Sequence, residues 1–256
     1  MARPLPVPTI SVVLCSYNRA AGLQRALASI RAQTVPVTEV IVVDDGSTDP
    51  WYSGPTPTGV VWIRADPDSR TRCGFPCLGY VKNLGIARAT GDWLAFLDDD
   101  DEWLPQKLER QLAALRATGC RMIATEAWRG HGPYDPAAAY PRYLADWARL
   151  AYPLPACFTQ AEIERDNLII HSSVIIEREL LLAEGGYEEL PLGGVTREGR
   201  LQVEDWELWK RCLRHTDCAF VPEPLVYYQG RPETSGAAAL FAGVGQVASR
   251  LRRALF

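Results

Sequence analysis

Blocks of apolar residues separated by short polar turns predict alternating strands and helices in the first hundred residues. The β-branched run Thr9–Cys15 has the composition of a buried strand. Apolar residues at helical spacing between positions 23 and 30 then predict an amphipathic helix that ends near Gln33. A second buried run, Val40–Val43, follows. Because short links join strand, helix and strand, we expect a βαβ unit, and hence a parallel sheet with a right-handed crossover.

Later patterns extend this order but become less regular in the second half of the chain. The stretch 50–76, rich in Pro, Gly, Ser and Thr, predicts a long loop that carries one brief strand and closes over a substrate as a lid. In the tail 231–256, apolar residues fall on one stripe and predict an amphipathic helix. The other predicted elements are helices at 80–89, 105–118 (with Pro105 in its first turn), 140–150 and 204–215, a short helix ended by Gly185-Gly186, and strands at 60–63, 93–97, 122–125 and 168–176, the last interrupted at 171–173.

The most distinctive stretch is Trp93–Asp101, in which an apolar run ends on four consecutive aspartates. Four carboxylates cannot lie in a core without partners, because burying even one unpaired carboxylate is very costly. We therefore place them at the carboxyl end of a strand, where open α/β sheets bind ligands. Such a group suits Mg²⁺ or Mn²⁺, which take carboxylate oxygens and keep positions open for phosphates. The alternative is a solvated acidic turn that leads into the helix at Pro105.

Composition narrows the class of protein. The 256 residues suffice for one large α/β domain or two small ones. A formal charge of −4 argues against a general nucleic-acid-binding protein, which would carry a basic surplus. No apolar stretch approaches the ~20 residues of a membrane span and no signal peptide precedes the first strand, so we expect a cytoplasmic protein with free thiols. Cys73 and Cys77 are close in sequence, but without a second pair or a histidine cluster they do not predict a zinc site.

Five motifs follow one another in a recognisable order. They are Ile10–Arg19, Glu39–Asp49, Lys82–Gly91, Phe96–Pro105, and Gly185–Tyr187 followed by Glu204–Asp205. In this order they resemble the family 2 inverting glycosyltransferases of GT-A fold, from about residue 8 to residue 228. The resemblance implies an α/β fold with a Rossmann-like, mostly parallel central sheet flanked by helices. We expect one domain, 1–230, with a nucleotide-sugar-binding half (8–101) and an acceptor-binding half (102–230), followed by the helical tail (231–256).

The resemblance implies a donor site at the strand ends. Tyr17 would lie against the nucleotide base and Asp44 would accept a hydrogen bond from the edge of the base, with Cys15 beside them in the nucleotide-sugar site. Lys82 would approach the donor phosphates. Other roles stay open: Tyr17 could cap the sheet, Asp44 could satisfy the backbone of its own turn, and Lys82 could be an exposed helix residue.

The same resemblance assigns the acidic run to the donor diphosphate and to a metal ion. Asp100 would bind Mn²⁺ or Mg²⁺ directly, together with Asp98, and Asp98 or Asp99 would hold the ribose of the donor. The metal would bridge the diphosphate and stabilise the charge that builds on the leaving group.

On the acceptor side, Asp205 would be the catalytic base. Inversion in a single displacement needs a carboxylate that removes the acceptor proton as the acceptor oxygen attacks. The alternative is that Glu204 and Asp205 only open a helix, where acidic residues favour the helix dipole. Glu204 and Trp206 would also line the acceptor side, and His171 would either contact the acceptor or belong to the core.

These assignments predict a transferase that moves a sugar from a nucleotide-diphosphate sugar, with a UDP-sugar as the leading donor, to a saccharide or lipid-linked acceptor. The alternatives are a catalytically silent nucleotide-sugar-binding module and a sugar nucleotidyltransferase. The latter would normally carry a Gly-rich phosphate loop after the first strand, which this chain lacks. We expect no nucleic-acid partner. The tail would dock on the body or join two copies as a homodimer, with peripheral contact at the inner face of a membrane as the minority view.

Overall fold

The computed structural model describes residues 8–144, 155–191, 194–195 and 201–230. The tail 231–256, for which the sequence predicts an amphipathic helix, lies outside the described residues, so its docking stays a prediction. The strands are β1 Ile10–Ser16, β2 Glu39–Asp44, β3 Val60–Arg64, β4 Trp93–Phe96, β5 Glu102–Trp103, β6 Met122–Gly130, β7 Cys157–Phe158, β8 Ile175–Glu177, β9 Gly194–Val195, β10 Leu201–Gln202 and β11 Cys218–Gln229. The helices are α1 Ala20–Arg31, α2 Ser69–Cys73, α3 Leu78–Arg88, α4 Lys107–Thr118, α5 Gln160–Arg165, α6 Arg178–Ala183 and α7 Glu204–Cys212.

A nine-stranded, mostly parallel sheet runs through the molecule and confirms the predicted fold class. Its order is β3-β2-β1-β4-β8-β6-β11-β5, and β7 pairs with β11. The four strands from β3 to β4 are parallel to one another, as predicted from the βαβ pattern. Strand β8 runs antiparallel to both β4 and β6, so β6 and β11 again point the same way as β1. The carboxyl ends of six strands therefore lie along one edge.

Two apolar layers cover the two faces of this sheet. Successive strand residues point to opposite faces, so Val12 packs on one side and Val13 on the other. Helices α1 and α4 cover the first face with residues such as Leu27 and Leu108. Helices α3 and α7 cover the second face, where Trp209 is fully buried. The edge of the sheet between these layers is left for the polar strand ends.

The stretch 50–76 is more ordered than the predicted loop. It begins with a 3₁₀ turn at Pro50–Ser53 and ends with helix α2, on either side of β3. Trp51, Tyr52 and Trp62 pack together with ring centroids 5.2–6.1 Å apart. The Pro and Gly content predicted a loop, but the buried Tyr52 and the partly buried Trp51 and Trp62 anchor the stretch on the apolar layer of the first face.

Three predicted boundaries were wrong. The strand at 168–176 is confined to β8, because residues 171–173 form a 3₁₀ turn in which Ser173 Oγ donates to the carbonyl of Ile170 at 2.7 Å. Helix α4 begins at Lys107, and Pro105 lies in the turn before it. Residues 140–144 are not helical, since Arg142 forms a β-bridge with Trp128, while 145–150 lie outside the described residues. Within the described ranges, no helix is long and apolar enough to cross a membrane.

Candidate functional site

The candidate site lies where β1, β2 and β4 end side by side. Ser16 is level with Asp44 in the parallel register, and the acidic run follows β4 after a single residue, Leu97. The first turn of α1 packs against this run at Gly22, where a Cβ atom would overlap the backbone carbonyl of Asp99. A glycine is therefore needed there for the close approach of α1 to the acids. The predicted position of the acidic run, at the carboxyl end of a buried strand, is confirmed.

Two of the four aspartates are buried and serve the fold. Asp99 accepts a hydrogen bond from Ser16 Oγ at 2.7 Å, and Asp101 accepts from Ser172 Oγ at 2.5 Å and from the backbone N–H of Gln229 at 2.9 Å. Burial raises the pKa of Asp99 to about 6 and that of Asp101 well above its usual value. These hydroxyl and amide donors replace the water that the two carboxylates have lost.

The other two aspartates reach the surface. The side chains of Asp98 and Asp100 are 38% and 37% exposed. Asp98 Oδ1 lies 3.1 Å from His171 Nδ1, while Asp100 forms an ion pair with Arg19. Burial tends to raise the pKa of Asp98, but the charge and hydrogen bond of His171, with the charges of Lys82 and Arg19, hold it well below its usual value. Burial, and then the charge of Asp98, raise the pKa of Asp100.

The carboxylate oxygens of this run suit a hard divalent cation whose coordination shell is completed by oxygens of a substrate. Within the described ranges, no three His, Cys, Asp or Glu side chains are grouped so as to hold a metal by themselves. Asp98 and Asp100, the two predicted metal ligands, are the two partly exposed members of the run. Mg²⁺ is commonly held by one or two carboxylates plus substrate phosphates, and a pair of surface carboxylates matches that pattern.

A buried ion pair joins α3 to the start of α7. Lys82 Nζ donates to Glu204 Oε1 at 2.7 Å, and both side chains are at most one-tenth exposed. The alternative in which Lys82 is an exposed helix residue was therefore wrong. Burial tends to lower the pKa of Lys82, yet the charges of Glu204, Asp98 and Asp205 raise it above its usual value. The ammonium is thus within electrostatic range of both groups of acids.

Asp205 is the second residue of the same helix, and among the residues that the structure describes no cation contacts its carboxylate. Its Oδ1 accepts from the backbone N–H of Trp206 at 2.6 Å and from Asn167 Nδ2 at 3.3 Å. Burial, followed by the negative charge of Glu204, raises the pKa of Asp205 to about 6 against the opposing charge of Lys82. The carboxylate is therefore charged at neutral pH but more basic than an exposed aspartate.

His171 and Trp206 connect these groups to the core. His171 Nδ1 meets Asp98, and its Nε2 lies 3.0 Å from the hydroxyl of Tyr187. The imidazole also packs against Phe96, at 5.0 Å between ring centroids. The indole N–H of Trp206 donates to the carbonyl of a residue on α5. His171 thus belongs to the core and at the same time fixes a site carboxylate.

Two arginines contact the residues that were predicted to bind the nucleotide base: Arg64 pairs with Asp44, and Arg70 lies over Tyr17. Asp44 is fully buried, accepts from the backbone N–H of Ser47 at 2.8 Å and pairs with Arg64 Nη1 at 2.8 Å. The alternative in which Asp44 satisfies its own turn is therefore seen in the structure, in addition to an ion pair. The guanidinium of Arg70 lies 4.1 Å from the ring centroid of the exposed Tyr17.

Cys15 lies half-buried at the end of β1, in the predicted nucleotide-sugar site. Burial raises the pKa of its thiol far above the usual range. The thiol is therefore uncharged at neutral pH, and it packs against the apolar layer on the second face of the sheet.

Sequence reasoning missed most of the residues that hold the carboxylates in place. Most of these residues carry hydroxyl or amide groups, which are common in turns, so their residue types did not point to a site. Arg19 is the exception: its position directly after the turn that follows β1 places a cation near the strand ends and could have been noticed. The missed residues are Ser16, Arg19, Tyr52, Asn167, Ser172 and Tyr187.

Comparisons with known proteins agree with this fold. A family model, Glycosyl transferase family 2, matches residues 11–52 and 77–158. The succinoglycan biosynthesis protein ExoO of Rhizobium meliloti is 37% identical over 122 residues, which are 45% of this chain and 32% of that protein. The GalNAc(5)-diNAcBac-PP-undecaprenol beta-1,3-glucosyltransferase of Campylobacter jejuni is 36% identical over 104 residues, which are 38% of this chain and 31% of that protein.

A solved structure extends the likeness beyond the matched sequence. TarS 1–349 of S. aureus in complex with UDP-GlcNAc superposes with a TM-score of 0.61 at 18% identity, covering 87% of this chain and 59% of that chain. The shared fold therefore includes the second half of the sheet. The chain spans about a third of the length of the two curated relatives.

Proposed function

The chain belongs to glycosyltransferase family 2, and we propose that it moves a sugar from a nucleotide-diphosphate sugar to a hydroxyl acceptor with inversion at the anomeric carbon. The observation that carries this proposal is the joining of two acidic groups by one buried lysine. Lys82 bonds Glu204 beside Asp205 and feels the charge of Asp98. A donor-binding strand end and a candidate base thus belong to one site.

The donor side of the proposal rests on the strand ends. TarS, which has the same fold, has been solved with UDP-GlcNAc, so we take a UDP-sugar as the donor here. Asp98 and Asp100 would hold Mn²⁺ or Mg²⁺. When bound, such a cation neutralises charge on the diphosphate as it leaves. His171 keeps Asp98 in place through its hydrogen bond. The nucleotide base would lie against Tyr17, and Arg70, whose guanidinium is next to that ring, would cover the bound base.

Asp205 is the proposed general base. Its carboxylate takes the proton of the acceptor hydroxyl while the acceptor oxygen attacks the anomeric carbon and the bond to the diphosphate breaks. The electron pair of that bond leaves on the diphosphate oxygen. A base whose pKa is about 6 is ionised at neutral pH and basic enough for this transfer. Asn167 positions this carboxylate through Nδ2. Within the described part of the chain, the buried Oδ1 of Asn167 has no hydrogen-bond partner, so it can accept a hydrogen bond from a hydroxyl of the bound acceptor.

The acceptor would be a saccharide, free or lipid-linked. The Campylobacter relative is named for a sugar chain on undecaprenyl diphosphate, and the Rhizobium relative for succinoglycan biosynthesis. Both names describe those proteins, and both are compatible with a hydroxyl of a growing glycan as the acceptor here.

A donor panel tests the function directly. Thermal unfolding with Mn²⁺ and each of several nucleotide sugars should reveal one that raises the Tm, because a ligand that binds only the native state stabilises it. Slow hydrolysis of that donor would show a transferase site, and the anomeric configuration of the product, read by NMR, would show inversion. Binding without hydrolysis or transfer to any acceptor would favour the silent binding module, and release of diphosphate from a nucleoside triphosphate would favour a nucleotidyltransferase.

A further inference from the structure

The contact between Arg19 and the acidic run has no place in the mechanism above. Arg19 Nη1 lies 3.2 Å from Asp99 Oδ1 and forms an ion pair with Asp100 Oδ2. Asp100 is the proposed direct metal ligand. One of its oxygens is therefore already held by a cation that belongs to the protein itself.

The backbone of Arg19 is held by hydrogen bonds, whereas its ion-paired side chain is largely exposed. Its N–H donates to the hydroxyl of Tyr52 at 3.0 Å, and its carbonyl accepts the first helical hydrogen bond of α1, from Leu23, at 3.0 Å. The side chain is 53% exposed. The guanidinium can therefore change partners by rotating its own torsions, without movement of α1 or of the strand end.

We propose that Arg19 is an exchangeable counter-ion of this site: it neutralises Asp100 in the free enzyme and moves to the donor diphosphate when a divalent cation takes Asp100. This role rests on the proposed function. A carboxylate oxygen cannot bind a guanidinium and a metal along the same direction, and the two cations repel each other. The displaced guanidinium stays near the site because Asp99 is buried and retains its contact. A planar guanidinium suits phosphate oxygens, which it binds through two parallel N–H groups.

The exchange gives the site an order of binding. Without nucleotide, a metal must compete with Arg19 for Asp100, so metal alone binds weakly. With the diphosphate present, the guanidinium gains new partners as it leaves the carboxylate. Metal and diphosphate then favour each other's binding, and this coupling is reciprocal.

The test measures two affinities of the full chain by titration calorimetry: that for Mn²⁺ alone, and that for UDP in saturating Mn²⁺. Arg19→Gln should bind Mn²⁺ alone about twofold to fivefold more tightly, the range expected when a partly exposed ion pair no longer competes. The same variant should bind UDP in Mn²⁺ roughly tenfold more weakly, because a charge-assisted contact to phosphate is lost. Arg19→Lys, which keeps the charge but not the fork, should resemble the wild type towards Mn²⁺ alone and should recover only part of the UDP affinity.

Arg25→Gln is the matched control. Arg25 lies on the same helix and pairs with Glu102, immediately after the acidic run, at 3.4 Å. Both affinities should stay at the wild-type values. Unchanged Mn²⁺ affinity in Arg19→Gln would overturn the competition, and unchanged UDP affinity would overturn the transfer to the diphosphate. If the wild type binds UDP equally well after chelation, the proposed metal itself is wrong. If the wild type hydrolyses the donor only in the presence of metal, but the Arg19 variants keep the wild-type affinities for Mn²⁺ and UDP, then the exchange is refuted and the proposed function stands.

Discussion

Asp98 and Asp205 are both carboxylates at the same edge of the sheet, yet the protein shifts their pKa values in opposite directions. Asp98 has His171 in contact and feels two further cations, and its pKa is lowered. Asp205 is buried beside Glu204, whose partner Lys82 is already engaged, and its pKa is raised to about 6. The first arrangement keeps the Asp98 carboxylate charged at all physiological pH values, while the second makes the Asp205 carboxylate more basic than an exposed aspartate. Two carboxylates become suited to two tasks through their neighbours alone.

The largest expected effect concerns the Lys82–Glu204 ion pair, whose lysine charge acts on both Asp98 and Asp205. Lys82→Met should lower the free energy of unfolding by about 3–5 kcal/mol, because Glu204 would be left buried without its partner. Urea denaturation at neutral pH measures the loss. The double variant with Glu204→Leu should regain most of it. A loss in Lys82→Met below about 1 kcal/mol would mean that the pair is hydrated and that burial does not control this region.

The next effect concerns Asp205 as the base. Asp205→Asn should reduce turnover about a hundredfold or more while donor affinity stays near the wild-type value, since the general base acts only in the chemical step. Glu207→Gln, on the same helix and paired with Lys210 at 2.6 Å, is the control and should keep full activity. Normal turnover in Asp205→Asn would move the base elsewhere, with Glu204 as the next candidate.

The exposed and buried members of the acidic run should respond differently. Asp100→Ala should weaken Mn²⁺-dependent UDP binding roughly tenfold or more with little loss of stability, because its carboxylate is a proposed metal ligand. Asp101→Ala should instead cost about 1–3 kcal/mol of stability, since Ser172 Oγ and the N–H of Gln229 would lose their acceptor. Calorimetric binding and thermal unfolding of both variants separate these effects. Equal losses of stability would contradict the division of the run into ligands and structural acids.

The smallest effect is a shift of the pH profile. The base must be deprotonated, so single-turnover rates should fall about tenfold per pH unit below the pKa of Asp205, about 6, and level off above it. Glu204→Gln should move this limb to lower pH, because the charge of Glu204 raises that pKa while Lys82 and His171 oppose it. A limb that does not move, or that moves to higher pH, would show that Glu204 does not tune the base.

The sequence alone determined three buried parallel strands in the first half of the molecule. The runs at 9–15, 40–43 and 93–97 became adjacent parallel strands, because a short, β-branched apolar run between turns has few other uses. It also placed Asp98–Asp101 correctly at a strand end, since four adjacent charges cannot be buried together. Local pattern is sufficient where each residue's environment follows from its neighbours in the chain.

Only the tertiary structure decided which acids are available to a ligand. Asp99 and Asp101 differ from Asp98 and Asp100 through contacts with Ser16, more than 80 residues earlier, and with Ser172, about 70 residues later. The same holds for the ion pair of Lys82, whose partner Glu204 is 122 residues away. Burial and pKa depend on such distant contacts, and no local pattern of residues records them. For that reason the position of the acidic run could be predicted, whereas the burial and the partners of its members could not.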